Sequence, residues 1–329
     1  MDIPRFFTDR PITVVCKQIL VFDFKCVYAS YTCRSILMSG VNLVSKRLQI
    51  VICLVLSTMF NSAGFAADET LLERGTYLMD GIAACGNCHT PKNPDASDVE
   101  GMAYAGSFVI ESPNFKAYAP NITMDIETGI GSWSDEEIIR SIRDGLRPDG
   151  TLIGPPMPSP VYALMSDRDV EAIVAYLRTV EPVNNVVPKT VFNITLPTSY
   201  GPPVTTVTDV SKDDPIAYGR YLTYTLGHCF DCHTPLEWNG YNFDRIGESG
   251  RVFDNIFGLG FTTVSLNITP HKQYGLGEWS DKEIKRAMQE GVSRNGRSLV
   301  RAMPFPNYQN VSEEDMNAIV AYLRSMKPL

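Results

Sequence analysis

Apolar residues between Thr70 and Ala84 (Leu71, Leu72, Leu78, Met79 and Ile82) interleave with Glu and Arg, the pattern of an amphipathic helix. After Trp133, Ser134-Asp-Glu-Glu137 reads as a capping box opening a helix on Ile138, Ile139 and Ile142. Ser166-Asp-Arg-Asp169 opens a further helix with Val170, Ile173, Val174 and Leu177 at helical spacing. The same two starts recur at Ser280-Asp-Lys-Glu283 and Ser312-Glu-Glu-Asp315. No sustained alternation predicts a run of strands, so the expected fold is all-α with substantial loop.

The recurrence extends well beyond helix starts. Gly75-Thr-Tyr77-Leu78 returns as Gly219-Arg-Tyr221-Leu222 at an offset of 144. Further along the offset is 146: Asn121-Ile-Thr123 matches Asn267-Ile-Thr269, and Trp133-Ser-Asp135 matches Trp279-Ser-Asp281. Gly145 matches Gly291, Met157-Pro158 matches Met303-Pro304, and Tyr162 matches Tyr308. Ala172–Arg178 (AIVAYLR) is identical to Ala318–Arg324. A fixed period of this kind marks an internal duplication. The expected organisation is a first domain over 67–180, a second over 215–329, and a linker over 181–214. That linker is rich in Pro, Val, Thr and Asn. Val191, Phe192, Ile194 and Leu196 within it predict that part of it packs across one domain.

The first sixty-odd residues follow neither repeat. From Met38, basic Lys46 and Arg47 precede a mostly apolar run of thirteen residues, Leu48 to Phe60, and then the small residues Ser62, Ala63, Gly64, Ala66 and Ala67. That order predicts a signal peptide over 38–66, cleaved after Ala66. Residues 1–37 carry scattered charge and no trusted period, and read as a mis-assigned upstream extension. Of 329 residues, 44% are hydrophobic and 20% charged, at a mean hydropathy of −0.07. Disordered and multi-span membrane classes are thereby excluded. The net charge is −8, and −12 once 1–66 is removed, which argues against a polyanion-binding surface and so against a nucleic-acid partner.

Trimming also sorts the eight cysteines, because Cys16, Cys26, Cys33 and Cys53 leave with the leader. The remaining four stand as Cys85-Gly-Asn-Cys88-His89 and Cys229-Phe-Asp-Cys232-His233. C-x-x-C-H is the attachment signature of c-type haem: two thiols on one helical turn each add to a vinyl group, and the adjacent imidazole faces the iron. A thioredoxin-like pair would need a βαβ context, and a four-cysteine zinc site would leave the following histidine unexplained twice. Each repeat then needs a sixth ligand, and only His228 and His271 remain among the histidines. Met157 and Met303, in the proline-rich loops Gly154-Pro-Pro-Met157-Pro-Ser-Pro160 and Arg301-Ala-Met303-Pro-Phe-Pro306, occupy equivalent places and are the candidates. His/Met ligation suits an electron carrier. Met79, Met102, Met124, Met165 and Met288 read as packing residues. Trp133, Trp279, Asn121 and Asn267 read equally as haem-propionate partners or as core and turn residues. Arg140 and Arg286 read as a solvated helix face before a propionate contact. His228 is expected near a haem edge and His271 exposed.

Together, the C-x-x-C-H motifs, the Asn-Ile-Thr and Gly-x-Trp-Ser-Asp blocks, the Met-Pro loops and the AIVAYLR helices resemble class I c-type cytochromes. More closely, they resemble the cytochrome subunits of membrane-associated alcohol, gluconate, fructose and aldehyde dehydrogenases of bacteria. The resemblance covers 68–329. It implies a tandem pair of class I cytochrome c domains with two covalent haem c groups, on Cys85/Cys88 and Cys229/Cys232, with axial pairs His89/Met157 and His233/Met303. Two departures stand out: many such subunits have three haems and a C-terminal amphipathic or anchoring segment. A periplasmic protein with no spanning helix, reaching the membrane through a partner, is therefore expected.

Two function classes follow. One is a dihaem relay, without chemistry of its own, between a periplasmic dehydrogenase subunit and a quinone, cytochrome or oxidase acceptor. Its acidic surface would favour a basic docking partner. The alternative is a dihaem enzyme such as a peroxidase or a thiosulfate-oxidising enzyme. It would require an open or cysteine-ligated haem, which two Met ligands and no spare thiol disfavour.

Overall fold

The computed structural model describes residues 69–237 and 240–329. The readings of 1–37 and 38–66 lie outside the described residues. In the first repeat α1 is Leu71–Asp80, α2 Gly86–His89, α3 Asp135–Arg143, α4 Ser159–Tyr162 and α5 Asp167–Leu177. In the second, α6 is Pro215–Arg220, continued by the π-helical turns of Tyr221–Leu226. It is followed by α7 Cys229–His233, α8 Asp281–Glu290, α9 Phe305–Tyr308 and α10 Glu313–Ser325. The capping boxes form as written: Ser134 and Glu137 exchange bonds at α3, and Ser280 and Glu283 at α8. A third, at Thr70 and Glu73, opens α1. Each satisfies donors that the first helical turn leaves orphaned.

The all-α expectation is corrected by three small antiparallel sheets. β1 (Ser107–Glu111), β2 (Phe115–Ala119) and β3 (Val191–Phe192) form one sheet in that order. β4 (Leu236–Glu237) pairs with β5 (Gly240–Tyr241), and β6 (Val252–Asp254) with β7 (Thr262–Val264). The strands are two to five residues long, too short for a period-two signal to stand out. β3 comes from the linker and pairs Phe115 with Phe192, so its partner lies far away in sequence.

Two recurrent motifs prove to be halves of one helix crossing. α1 packs on α5, and α6 on α10. A Cβ placed on Gly75 would lie 2.0 Å from the Ala172 carbonyl oxygen, and one on Gly219 would lie 1.9 Å from that of Ala318. Only glycine lets the backbones approach this closely. The Gly-x-Tyr-Leu and AIVAYLR motifs therefore recur together because each needs the other.

One continuous core runs through both repeats. Leu78, Ile82, Ile138, Met165 and Ile173 of the first share it with Leu222, Leu226, Ile284, Met316 and Ile319 of the second. Its polar lock is reciprocal. Tyr77 donates its hydroxyl to Asp315 Oδ2 at 2.7 Å, and the equivalent Tyr221 donates to Asp169 Oδ2, also at 2.7 Å. Ser312 N and Ser166 N in turn donate to those hydroxyls, each at 3.1 Å. Asp169 is also paired with Arg74, Nε to Oδ1 at 2.7 Å and Nη2 to Oδ2 at 3.1 Å. These buried polar groups are paired, as burial demands.

The linker packs over the first repeat, as its apolar residues predict. Asn185 Nδ2 donates to the Ala105 carbonyl, Phe192 and Leu196 close on Gly154, and the Tyr200 hydroxyl donates to the Ile153 carbonyl.

Candidate functional site

Both C-x-x-C-H motifs are short helices, α2 and α7, entered through a left-handed residue, Ala84 at φ 44° and His228 at φ 35°. Cys85 packs against the shared core. Cys88 and Cys232 pack against a second apolar cluster built by both repeats, with Val109 and Phe115 of the first and Phe253, Ile256 and Phe257 of the second. None of these four cysteines is joined in a disulfide. Burial pushes Cys85, Cys229 and Cys232 up to about 12 and Cys88 up to about 11. The direction is opposite to the lowered pKa that activates a thioredoxin-like thiol. Among the described residues no three His, Cys, Asp or Glu side chains converge on one position.

The histidines are held alike. His89 Nδ1 lies 2.8 Å from the Pro120 carbonyl oxygen, and His233 Nδ1 lies 2.6 Å from that of Leu266. A carbonyl only accepts, so Nδ1 carries the proton in both rings and Nε2 keeps its lone pair. Burial lowers both imidazole pKa values, against the opposing carbonyl bonds, and favours the neutral ligand form. This is the usual posture of a metal-ligating histidine, oriented by an outer hydrogen bond.

The asparagines hold up this arrangement. Asn121 Oδ1 accepts from Thr123 N at 2.9 Å and from its Oγ1 at 2.7 Å, while Nδ2 donates to the Val183 carbonyl and to Thr128 Oγ1. Both amide hydrogens are spent, so Asn121 is a turn residue and no propionate partner. Asn267 makes the same bonds to Thr269, and its Nδ2 donates to the Leu329 carbonyl. Each staple sits next to the carbonyl that orients its histidine. Trp133 and Trp279 pack against the core, and their carbonyls accept from Arg178 and Arg324 of the AIVAYLR helices.

Met157 and Met303 are partly buried against the shared core, each just ahead of a short helix, α4 or α9. Tyr162 on α4 is fully buried, and burial, then Cys85, Asp231 and Cys88, raise its pKa. Tyr308 on α9 is likewise buried beside Cys229 and Cys232. These tyrosines, five residues after each methionine, lie near the thiols of their own repeats. The loop bearing Met303 also meets the first repeat, where Asn87 Nδ2 donates to the Ala302 carbonyl at 3.5 Å.

Arg140 and Arg286 depart from the solvated-face expectation. Their Nη2 atoms donate to the turns leading into the methionine loops, at the Arg147 carbonyl (3.3 Å) and the Ser293 carbonyl (2.8 Å). Their Nε atoms are buried and meet no acceptor among the described residues. A buried orphan donor at the same place in both repeats fits an anionic carboxylate carried by a bound group. His228 packs its ring on Tyr162 at 5.9 Å, and burial pushes its pKa down to about 4. His271 is half-buried rather than exposed; its Nδ1 accepts from Gln273 N and Tyr274 N, and its ring stacks on Tyr274.

No family model matches the chain. Individual proteins do. The cytochrome c subunit of the quinone alcohol dehydrogenase of Gluconobacter oxydans (strain 621H) is 32% identical over 277 residues, 79% of this chain and 55% of that protein. The gluconate 2-dehydrogenase cytochrome c subunit of Pantoea cypripedii is 29% identical over 301 residues, 84% of this chain and 64% of that protein. A dihaem c-type cytochrome of Cereibacter sphaeroides is 28% identical over 254 residues, 73% of this chain and 81% of that protein. The alignments span little more than half of the alcohol and fructose dehydrogenase subunits. These relatives imply haem c, and the histidine, thiol and arginine geometry fits it. The chain is a homologue of the cytochrome c subunits of alcohol, gluconate and fructose dehydrogenases and of a dihaem c-type cytochrome.

Proposed function

We propose that this chain is a dihaem c-type electron carrier, taking electrons from a dehydrogenase subunit and passing them to a quinone, another cytochrome or an oxidase. The observation that carries the reading is the twice-built C-x-x-C-H helix whose histidine has Nδ1 spent on a backbone carbonyl and Nε2 free. In this reading the repeats over 67–180 and 215–329 hold one haem c each. Cys85 and Cys88 would tether the first by thioether bonds, and Cys229 and Cys232 the second. His89 and Met157 would hold one iron, and His233 and Met303 the other. When bound, the group supplies a one-electron ferric/ferrous couple without proton transfer.

The chain's own residues set the conditions for that couple. The Pro120 and Leu266 carbonyls raise the basicity of the imidazoles, and the proline-rich loops hold the thioethers with little freedom. The Arg140 and Arg286 Nε–H groups, buried without an acceptor among the described residues, would hold propionate carboxylates of that group. Held by these four side chains, neither iron would keep an open position for substrate. Segment 38–66 directs export, with cleavage near Ala66, and the mature chain works in the periplasm.

Met303→Ala tests the ligand set. It should open only the second haem to high-spin character and shift only that haem's potential, read by absorption, electron paramagnetic resonance and redox titration. Two intact His/Met signatures in the variant would overturn the assignment.

A further inference from the structure

Pairing the repeats position by position exposes a difference beside the methionine loops. The turn of the first repeat, 147–155, carries Arg147 and Asp149, whose charges cancel. The linker covers it: Phe192 and Leu196 lie where a Cβ on Gly154 would be, at 2.4 and 2.9 Å, and Tyr200 closes on Ile153. The matching turn of the second repeat, 293–301, carries Arg294, Arg297 and Arg301 and no acid. All three arginines are exposed. Arg294 reaches Glu278 at 3.4 Å and Glu283 at 3.8 Å, whereas Arg297 and Arg301 join no ion pair among the described residues. Val300, in the place of Gly154, is 43% exposed.

This basic turn is also firmly built. Ser293 Oγ donates to the Arg297 carbonyl at 2.8 Å, Gly296 N donates to the Ser293 carbonyl at 2.9 Å, and Arg286 holds the same carbonyl from below. Arg301 lines a cavity of about 140 Å³ together with Met303, Lys92, Asp98, Phe257 and Leu259.

We propose that the Arg294–Arg301 turn beside Met303 is a docking surface for an acidic face of a redox partner protein, so that electrons enter or leave through the second repeat. The inference rests on the dihaem-carrier reading and revises the expectation of a basic partner. Two arginines outside any ion pair among the described residues, Arg297 and Arg301, make a local positive spot on a chain of net charge −8, and such a charge asymmetry orients an encounter. Unpaired arginines around an exposed aliphatic residue are the composition of a protein interface. An anionic membrane would instead be repelled by the acidic remainder of the molecule.

The test uses the full holo-chain and hexacyanoferrate(III) as the anionic probe. Each reduced haem gives up one electron, ferrous becoming ferric, as hexacyanoferrate(III) becomes hexacyanoferrate(II). Stopped-flow oxidation of Arg297→Glu/Arg301→Glu should be slower by about tenfold at low ionic strength, converging with the parent at about 0.5 M salt. Lys189→Glu, on the linker over the first repeat, should match the parent. Equal rates for parent and double variant at low salt would overturn the proposal. Loss, in the double variant, of co-sedimentation with anionic phospholipid vesicles would overturn it in favour of a membrane surface. Loss of a salt-sensitive dimer would overturn it in favour of a second copy of this chain. Haem content and potentials measured on the same samples test the carrier reading separately, since absent haem would sink that reading whatever the turn does.

Discussion

Replacing Gly75 by alanine separates a tight helix crossing from an ordinary helical glycine, because the two give opposite signs. In an uncrowded helix, alanine gains about 1 kcal/mol over glycine. Here the new Cβ would sit 2.0 Å from the Ala172 carbonyl oxygen, 2.8 Å from its carbon and 3.0 Å from Tyr176 Cβ. The first two are backbone atoms of α5 and cannot rotate away, so the helices must part by roughly 1 Å. Overpacking of this severity costs about 3 kcal/mol, leaving a net loss of about 2 kcal/mol after the propensity gain. For a folded unit of this size that lowers Tm by about 4–8 °C. Gly219→Ala should behave alike, with its Cβ 1.9 Å from the Ala318 oxygen. Circular dichroism melts of the holo-protein read the change. An unchanged or higher Tm in either variant would refute the close crossing.

Two other outcomes follow from the same structure. Asp169→Asn removes the partner of the buried Arg74 and weakens the acceptor of the Tyr221 hydroxyl, so urea unfolding should show a loss of about 3–5 kcal/mol; a loss below about 1 kcal/mol would contradict the buried pairing. The carboxylates of Glu73 and Glu283 are held below their ordinary 4.5, by bonds from Thr70 and Ser280 respectively. A depressed carboxylate stabilises the fold above its unfolded pKa and loses that contribution as pH falls through the folded value, so stability should fall below about pH 4.5. Glu73→Gln/Glu283→Gln should flatten that acid limb, and an unaltered slope would show that these carboxylates do not contribute to it.

How legible each feature was depends on the range over which its cause acts. Ser134–Glu137 and Ser280–Glu283 were readable because a capping box is complete within four residues. The C-x-x-C-H helices were readable for the same reason. β1 and β2 were missed: Phe115–Ala119 reads as a short polar-apolar mixture until Ser107–Glu111 and Phe192 pair with it. The reciprocal Tyr77–Asp315 and Tyr221–Asp169 bonds were also hidden. Both tyrosines and both aspartates lie in recognised motifs, yet periodicity does not say which repeat supplies each partner. Arg140 and Arg286 read as a solvated face from the sequence alone; only packing reveals that each Nε is shut away from water. The fate of Asn121 could have been suspected, since Asn-x-Thr is able to close a turn on itself.

The central claim is that both repeats hold a six-coordinate haem c. Its most direct test is a pyridine haemochrome assay per polypeptide, combined with low-temperature electron paramagnetic resonance of the oxidised protein. The account predicts two covalently bound haems per chain, both low-spin with His/Met signatures. A single haem, a haem extracted by acidified acetone, or a high-spin centre in the purified protein would contradict it.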